Sequence, residues 1–326
     1  MTHATRRTDP WSVVHGVRAM GRNFTIERGA PAVSFVLSGF LEERVVNGSR
    51  FLAFPSAIER HENQFLKTFL EAGVPLDFAF TFKGRRGTLG EVADSARALF
   101  RFSERTDRDT IAWSLIALTQ TNSPARGVWT NAWGERIELA RVVQEGFETM
   151  EQTSRPVQEA RDKGIPLEER APIHAFTCGG THLLYSLLAA SNAGYRVPQY
   201  RERLDRLMDL LVYRLRADME LLDRFYQPKL STVPGTGWFL LDAQIKFIGH
   251  AFECLGYAQR HELYTVPARE AHRYEEAATV LDRGLAQLLK LDLKPVRAGA
   301  AALYQQLVGD VCHAHRGLQL TSGRTG

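Results

Sequence analysis

Cysteine is scarce in this sequence, and the scarcity excludes a disulfide-stabilised fold. The 326 residues contain three cysteines, Cys178, Cys254 and Cys312, which lie far apart along the chain. Small secreted domains carry an even number of closely spaced cysteines that pair as disulfides. We therefore expect a protein of a reducing compartment and predict a cytoplasmic location. No charged segment followed by an apolar run opens the sequence, so we expect no secretory signal.

Lysine and long apolar runs are also in short supply. Lysine provides 7 of the 41 basic residues, and the other 34 are arginines that are mixed along the chain with 37 acidic residues. A nucleic-acid-binding protein concentrates its positive charge on one face, and the sequence contains no such run despite its net charge of +4. No uncharged apolar stretch approaches the length of a membrane span. We expect a soluble protein with no nucleic-acid partner and no membrane-spanning helix.

The sequence does contain a histidine that recurs at one helical position. Five segments share a pattern of His or Trp followed by Leu five positions later. Their first residues are His61, Trp113, His182, His250 and His313, at separations of 52, 69, 68 and 63 residues. A period of this size fits one long helix leading out and one leading back, and a fixed period indicates a repeat architecture.

Helical periodicity dominates from Ser56 onward and predicts an all-α fold. Helices that are apolar on nearly all sides, around His182 and His250, alternate with half-wet helices such as the arginine-rich segment 198–225. An inner and an outer ring of helices require this alternation. We therefore predict an α/α toroid over residues 57–320, an incomplete barrel of about five helical hairpins, with an open α-solenoid as the alternative.

The N-terminal region predicts one small element of sheet. Asn47-Gly48 lies between β-branched and aromatic residues, and both residues tolerate the positive φ of a tight turn. We predict a single small β-hairpin over residues 44–52, within an arm of residues 1–56 that also holds a short helix. Residues 321–326 are predicted to be a disordered tail.

Equal helical phase brings the recurring histidines to one predicted cavity. In a toroid the inner helices open onto a common centre, so we predict that His182, His250 and His313 converge there as catalytic groups or ligands. Glu253 follows His250 by three positions on the same helix face and would orient it as an acid/base group. The alternative is that each histidine is a buried side chain bonded to its own neighbouring carbonyl group.

Four more side chains are predicted to line the same cavity, namely His61, Trp113, Cys178 and Tyr185. Two glycines lead from Cys178 into the helix of His182. Their backbone N–H groups could receive an anion, or they form a tight entry turn with Thr181 as the N-cap. Three neutral imidazoles could also bind Zn²⁺, but no short pair of histidines with carboxylates accompanies them. The cofactor therefore stays open, with zinc as one possibility.

The adjacent Cys312-His313 pair resembles the zinc-binding Cys-His pair of lanthipeptide cyclases, which are also α/α barrels. The resemblance implies that Cys254 or Cys178 of this chain could supply a third ligand. Two departures weaken the resemblance: Ala314 replaces the glycine that follows the pair, and the Trp-Cys motif of the family is missing.

A broader resemblance covers residues 57–320. Its segments are 177–182 (Thr-Cys-Gly-Gly-Thr-His), 248–253 (Ile-Gly-His-Ala-Phe-Glu), 129–135, 109–115 and the final Cys312-His-Ala-His-Arg316. They are similar to segments of uncharacterised bacterial proteins of planctomycete type that have a terpenoid-cyclase/protein-prenyltransferase-like toroid. The resemblance implies the α/α toroid and brings no established activity. The acidic motifs with which terpene cyclases protonate or ionise isoprenoids are missing, so we expect no such cyclisation.

Two classes of function remain open at this point. The first is an enzyme whose histidine-lined central cavity acts on a small molecule or peptide. The second is a non-catalytic toroid that serves as a binding or assembly subunit for a protein partner, since repeat folds offer extended concave surfaces.

Overall fold

The computed structural model describes residues 2–103 and 108–322 and is mostly helical, with 67% of residues in helices. The described part contains twelve α-helices: α1 Pro10–Met20, α2 Ala32–Phe40, α3 Gln64–Glu71, α4 Leu89–Leu99, α5 Ala112–Thr121, α6 Leu139–Lys163, α7 Thr181–Asn192, α8 Tyr200–Tyr226, α9 Thr236–Arg260, α10 Ala271–Lys290, α11 Lys294–Gly299 and α12 Ala301–Thr321. An all-α class fits this content. Of the predicted tail, Thr321 ends α12, and residues 323–326 lie outside the described residues.

Among the residues that the structure describes, three antiparallel hairpins interrupt the helices: β1 Glu42–Val46 with β2 Ser49–Ala53, β3 Ala79–Phe82 with β4 Arg85–Thr88, and β5 Val128–Thr130 with β6 Arg136–Glu138. The first is the predicted hairpin, and it turns at Asn47 and Gly48 with φ of 49° and 78°. The expectation of a single hairpin was wrong. The second turns at Lys83 and Gly84, which also have positive φ, and the third buries Trp129 and Ile137.

The chain divides into two compact units, of which the first comprises Met1–Phe147 and Tyr185–Pro198. Its core gathers apolar side chains of α1, α2 and α3 and of the first two hairpins, among them the fully buried Val13, Phe65 and Phe69. The second unit comprises Glu148–Leu184 and Gln199–Thr325. The predicted division into an arm and a toroid remains a prediction.

The second unit is built around α9, which packs against α8, α10 and α12. Its contact with α12 is close because glycines face the neighbouring backbone. A Cβ atom on Gly249 would lie 2.9 Å from the backbone nitrogen of Ala314, and one on Gly317 would lie 2.9 Å from the carbonyl oxygen of Gly249. Real Cβ atoms do not approach backbone so closely, so these positions require glycine for the two helices to touch.

Candidate functional site

Three of the predicted site residues are neighbours in the second unit. The imidazole of His182, on α7, lies 4.7 Å from that of His250 on α9 and 5.5 Å from that of His313 on α12, measured between ring centroids. The rings of His250 and His313 are stacked at 3.9 Å. All three side chains are buried, with residue exposures of 7%, 3% and 4%. The close α9–α12 contact beside Gly249 explains the stacking, because His250 and His313 directly follow and precede the touching residues.

His313 is held by a carboxylate. Its Nδ1 donates to Oε2 of Glu253 at 2.6 Å, and both side chains are almost completely buried. The sequence had paired Glu253 with His250 on its own helix, whereas this hydrogen bond runs across to α12. A histidine whose Nδ1–H is donated to a carboxylate presents the lone pair of Nε2 on its other side.

His250 is oriented by backbone. Its Nδ1 lies 2.7 Å from the carbonyl oxygen of Lys246, one helical turn earlier, and donates to it. The alternative that each histidine bonds to a neighbouring backbone carbonyl group therefore holds for His250. The same bond fixes the tautomer in which Nε2 is an acceptor, which is the arrangement of most metal-binding histidines.

Cys178 lies in an unusual turn that leads into α7. Its φ is 51°, and Gly179 and Gly180 follow with φ of 64° and 78°. The left-handed conformation is uncommon for a residue with a side chain and costs about 1–3 kcal/mol, so surrounding structure must hold it. The expected N-cap at Thr181 is replaced by a different bond, because Thr181 is the first helical residue and its hydroxyl donates to the carbonyl of Cys178 at 2.8 Å.

A buried charge network from α8 holds this turn. Arg214 donates through Nη1 to the carbonyl of Gly179 at 2.8 Å and through Nη2 to Asp218 at 2.7 Å. Asp218 also accepts from Nε2 of His174 at 3.0 Å. Burial by itself would raise the pKa of Asp218, but Arg214 and His174 outweigh it and lower the pKa below its usual range. No sequence pattern had marked Arg214 or Asp218.

Within the described residues, Cys178, His182 and His250 form a group that could hold a metal ion. Each offers one ligand atom, and these atoms lie within 4.8 Å of one another. The other two cysteines, considered as ligands from sequence, are engaged otherwise. Cys254 donates to the carbonyl of Thr181 at 3.3 Å, and burial raises the pKa of the Cys312 thiol to about 12.

A cavity of about 670 Å³ opens beside this group within the second unit. Cys178 and Gly179 form part of its wall, together with Asp242, Lys246 and Gln306. Five aromatic residues also line it, Phe176, Phe225, Tyr226, Phe239 and Phe247, as do the charged Glu168, Glu169, Arg170, Asp218 and Arg224. Cys178, which is partly buried, lines this space, which is large enough for a small molecule, whereas His182, His250, His313 and Glu253 are not among its lining residues.

The remaining predicted lining residues belong to the first unit. His61 stacks on Trp113 with ring centroids 3.6 Å apart, and burial together with the charge of Arg60 lowers the pKa of His61 to about 4. Tyr185 packs its ring under the cations of Arg18 and Lys67, each 5.4 Å from the ring centre. None of the three lines the 670 Å³ cavity. Their place in one cavity with the three histidines remains a prediction.

Comparisons of the chain with family models, with curated proteins and with solved structures found no match. The resemblances noted in the sequence therefore remain expectations. Among residues 2–103 and 108–322, none of the helices combines the length and the apolarity that a membrane span needs.

Proposed function

We propose that this chain is a metalloenzyme that holds one Zn²⁺ ion with Cys178, His182 and His250. The observation that carries the proposal is the mutual approach of their ligand atoms to within 4.8 Å beside a cavity. Catalytic zinc sites use three protein ligands of these types and keep a fourth position for water or substrate. We also propose, from the spacing of the histidines, that the repeat closes into an α/α toroid.

The groups around the three ligands support this assignment. The bond from His250 to the Lys246 carbonyl leaves Nε2 as the acceptor that a metal requires. Arg214 fixes the turn that carries Cys178 and thereby presets the position of the thiol. Preset ligands bind a metal more tightly because less conformational entropy is lost on binding.

The proposed reaction is hydrolysis of an ester or amide bond of a small molecule or peptide in the cavity: water adds to the carbonyl carbon, the bond to the leaving oxygen or nitrogen breaks, and the leaving group takes up a proton. Zinc held by Cys178, His182 and His250 would supply an acidified water and polarise the carbonyl oxygen. His313 lies against His250 and is oriented by Glu253, so it is the residue placed to take up and return a proton. We expect the imidazole of His313 to act as the base and the carboxylate of Glu253 to stabilise its protonated form.

Metal analysis tests the ligand set. We expect one zinc per purified chain, lost in His182→Ala and His250→Ala and retained in His272→Ala, whose histidine is exposed on α10. Cobalt in place of zinc should give a thiolate-to-metal charge-transfer absorption that disappears in Cys178→Ser. Protein that takes up no stoichiometric metal, or a cobalt spectrum unchanged in Cys178→Ser, would contradict the proposal.

His313→Ala separates a catalytic site from a four-ligand structural one. In the proposed enzyme this variant keeps its metal and loses hydrolysis of an activated ester such as 4-nitrophenyl acetate by about 100-fold or more. Loss of the metal itself in His313→Ala would mean that His313 is a fourth ligand. The centre would then be structural, and a binding or assembly subunit would be the better description.

A second candidate function uses the same residues without a metal. The left-handed backbone of Cys178 favours it, because nucleophilic residues are often held in such turns. Cys178 lies in the turn that precedes α7. The ammonium group of Lys246 interacts with it electrostatically, and a nearby positive charge favours the reactive thiolate form of a cysteine. His182 or His250 would then be its base.

Alkylation with iodoacetamide distinguishes the two candidates. In metal-free protein we expect Cys178 to be modified first, with the buried Cys254 and Cys312 as internal controls. Added zinc should protect Cys178 if it is a ligand. If the metal-free protein hydrolyses the ester and alkylation abolishes that activity, Cys178 is the nucleophile; if the metal-free protein is inactive, the nucleophile mechanism is contradicted. Mass spectrometry of peptides locates the modification.

A further inference from the structure

The cavity wall carries a second polar group that the proposed reaction does not use. Asp242 and Lys246 come from α9, and Asp310 and Gln306 come from α12. Lys246 Nζ lies 3.8 Å from Oδ2 of Asp242 and 3.8 Å from Oδ2 of Asp310. Gln306 donates to Oδ2 of Asp242 at 2.7 Å. Asp242, Lys246 and Gln306 all line the cavity.

This group has too few hydrogen-bond donors for its carboxylate oxygens. Asp242 and Asp310 are buried, with exposures of 3% and 5%. Oδ1 of Asp242 and Oδ2 of Asp310 have no donor among the described residues when both groups are ionised, and Lys246 stands beyond hydrogen-bond distance from both aspartates. When one of the two is protonated, the carboxyl groups hydrogen-bond to each other. A buried acceptor without a donor costs about 1–3 kcal/mol, and more when it is charged. Asp242 lines the cavity and Asp310 does not, so Asp242 is the aspartate that a donor group of a ligand would meet.

The charges of the group point to the kind of donor. Two carboxyl groups, of Asp242 and Asp310, face the single ammonium group of Lys246. Burial would lower the pKa of Lys246, but Asp310 and Asp242 outweigh it and raise the pKa, so that Lys246 stays protonated. Burial raises the pKa of both aspartates, and the charge of Asp242 raises that of Asp310 further. Cys178 and Tyr226 also act on Lys246, and other charged or titratable residues line the same cavity, namely Glu168, Glu169, Arg170, His174, Asp218 and Arg224. The group therefore lacks one positive charge, which a proton supplies when no ligand is bound.

The rest of the cavity is suited to an apolar body attached to that charge. Five aromatic side chains line it, and two of them, Phe225 and Phe239, are about half exposed. Aromatic faces attract cations as well as apolar groups, because the ring carries a negative face. An ammonium at Asp242 with a hydrocarbon or aromatic chain would satisfy both parts of the wall.

We propose that Asp242, supported by Asp310, binds the ammonium group of a primary-amine ligand whose apolar body lies against the aromatic wall of the cavity. As an account of the substrate this rests on the proposed metalloenzyme. As a binding site it needs no metal. Asp242 would touch the ligand, and Asp310 would act through Asp242 by releasing the proton that the ammonium replaces.

Calorimetry on chelator-treated protein with three matched probes tests the site: 2-phenylethylamine, 2-phenylethanol and 3-phenylpropionate. We expect the amine to bind at least about 10-fold more tightly than the alcohol, as hydrogen bonds to a charged group require, and the carboxylate not to bind. Binding of the amine should release a proton, seen as a dependence of the heat on the ionisation enthalpy of the buffer. Equal affinity for amine and alcohol would overturn the proposal.

Two variants locate the site. Asp242→Asn should weaken the amine about 10-fold or more and leave the alcohol unchanged, whereas Glu169→Gln, at an exposed acid of the same cavity, should change neither. An amine affinity unaltered in folded Asp242→Asn would overturn the assignment; if that variant does not fold, the probe comparison on the unaltered chain decides. Zinc content is measured separately. If the protein binds the amine but takes up no zinc, only the metalloenzyme proposal is refuted. If it takes up zinc but does not bind the amine, only the amine site is refuted.

Discussion

Replacing Gly249 by valine should separate α9 from α12 and cost about 3 kcal/mol of unfolding free energy. The reason is steric: a Cβ at this position would stand 2.9 Å from both the backbone nitrogen and the Cα of Ala314. Backbone cannot move aside as a flexible side chain does, so the whole helix must shift. Because His250 and His313 flank the contact, their stacking should be lost as well, and the shift of His250 relative to Cys178 and His182 should weaken zinc binding.

Gly237→Val provides the matched control for this change. Gly237 lies on the same helix α9, and nothing stands within 4 Å of a Cβ built there. Valine at this position should leave stability unchanged or raise it slightly, since glycine is a poor helix former. Urea unfolding of both variants, followed by metal titration, gives the comparison. Equal unfolding free energies of the two variants would contradict a direct backbone contact between α9 and α12 at Gly249.

Local turn chemistry explains which hairpins the sequence revealed. Asn47-Gly48 was recognised because both residue types accept positive φ. Lys83-Gly84 forms an equivalent turn, but lysine is not a usual residue at φ of 48°, so its sequence gave no turn signal. Phe80 and Phe82 alternate with exposed neighbours, a pattern that indicates a half-buried strand.

The sequence indicated which histidines form the candidate site, but it did not indicate the residues that they contact. The recurring pattern singled out His182, His250 and His313, whose rings are indeed neighbours. The predicted equal position on each helix was wrong, because His182 is the second residue of α7 whereas His250 and His313 lie near the middle of α9 and α12. The partners depend on which helices touch and how closely. Glu253 reaches His313 on α12 rather than staying with its own helix. Asp242 and Asp310 are 68 residues apart and meet only because glycines let α9 and α12 approach.

Replacing Glu71 by glutamine should destabilise the first unit by about 3–5 kcal/mol, because it leaves two buried cations without their counter-charge. Oε2 of Glu71 lies 2.5 Å from Nη1 of Arg18 and 2.9 Å from Nζ of Lys67. The three side chains are only 8%, 4% and 2% exposed, so water cannot replace the lost carboxylate charge. Glu43→Gln, which removes the partner of Arg50 in an exposed pair, should change stability by less than about 1 kcal/mol.

The effect of Glu71→Gln on the unfolding free energy should depend on pH in one direction. Burial would raise the pKa of Glu71, but Arg18 and Lys67 outweigh it and lower the pKa from 4.5 to about 2. A carboxyl group with a depressed pKa in the folded state stabilises above its unfolded pKa, and this contribution is lost as the pH falls toward the folded value. This lowering of the pKa corresponds to about 3 kcal/mol of unfolding free energy.

Urea unfolding at a series of pH values should therefore show the full difference in unfolding free energy between the unaltered chain and Glu71→Gln above pH 4.5. The difference should narrow as the pH is lowered from there toward about 2. A difference that stays constant over that range would mean that Glu71 acts through packing and not through its charge.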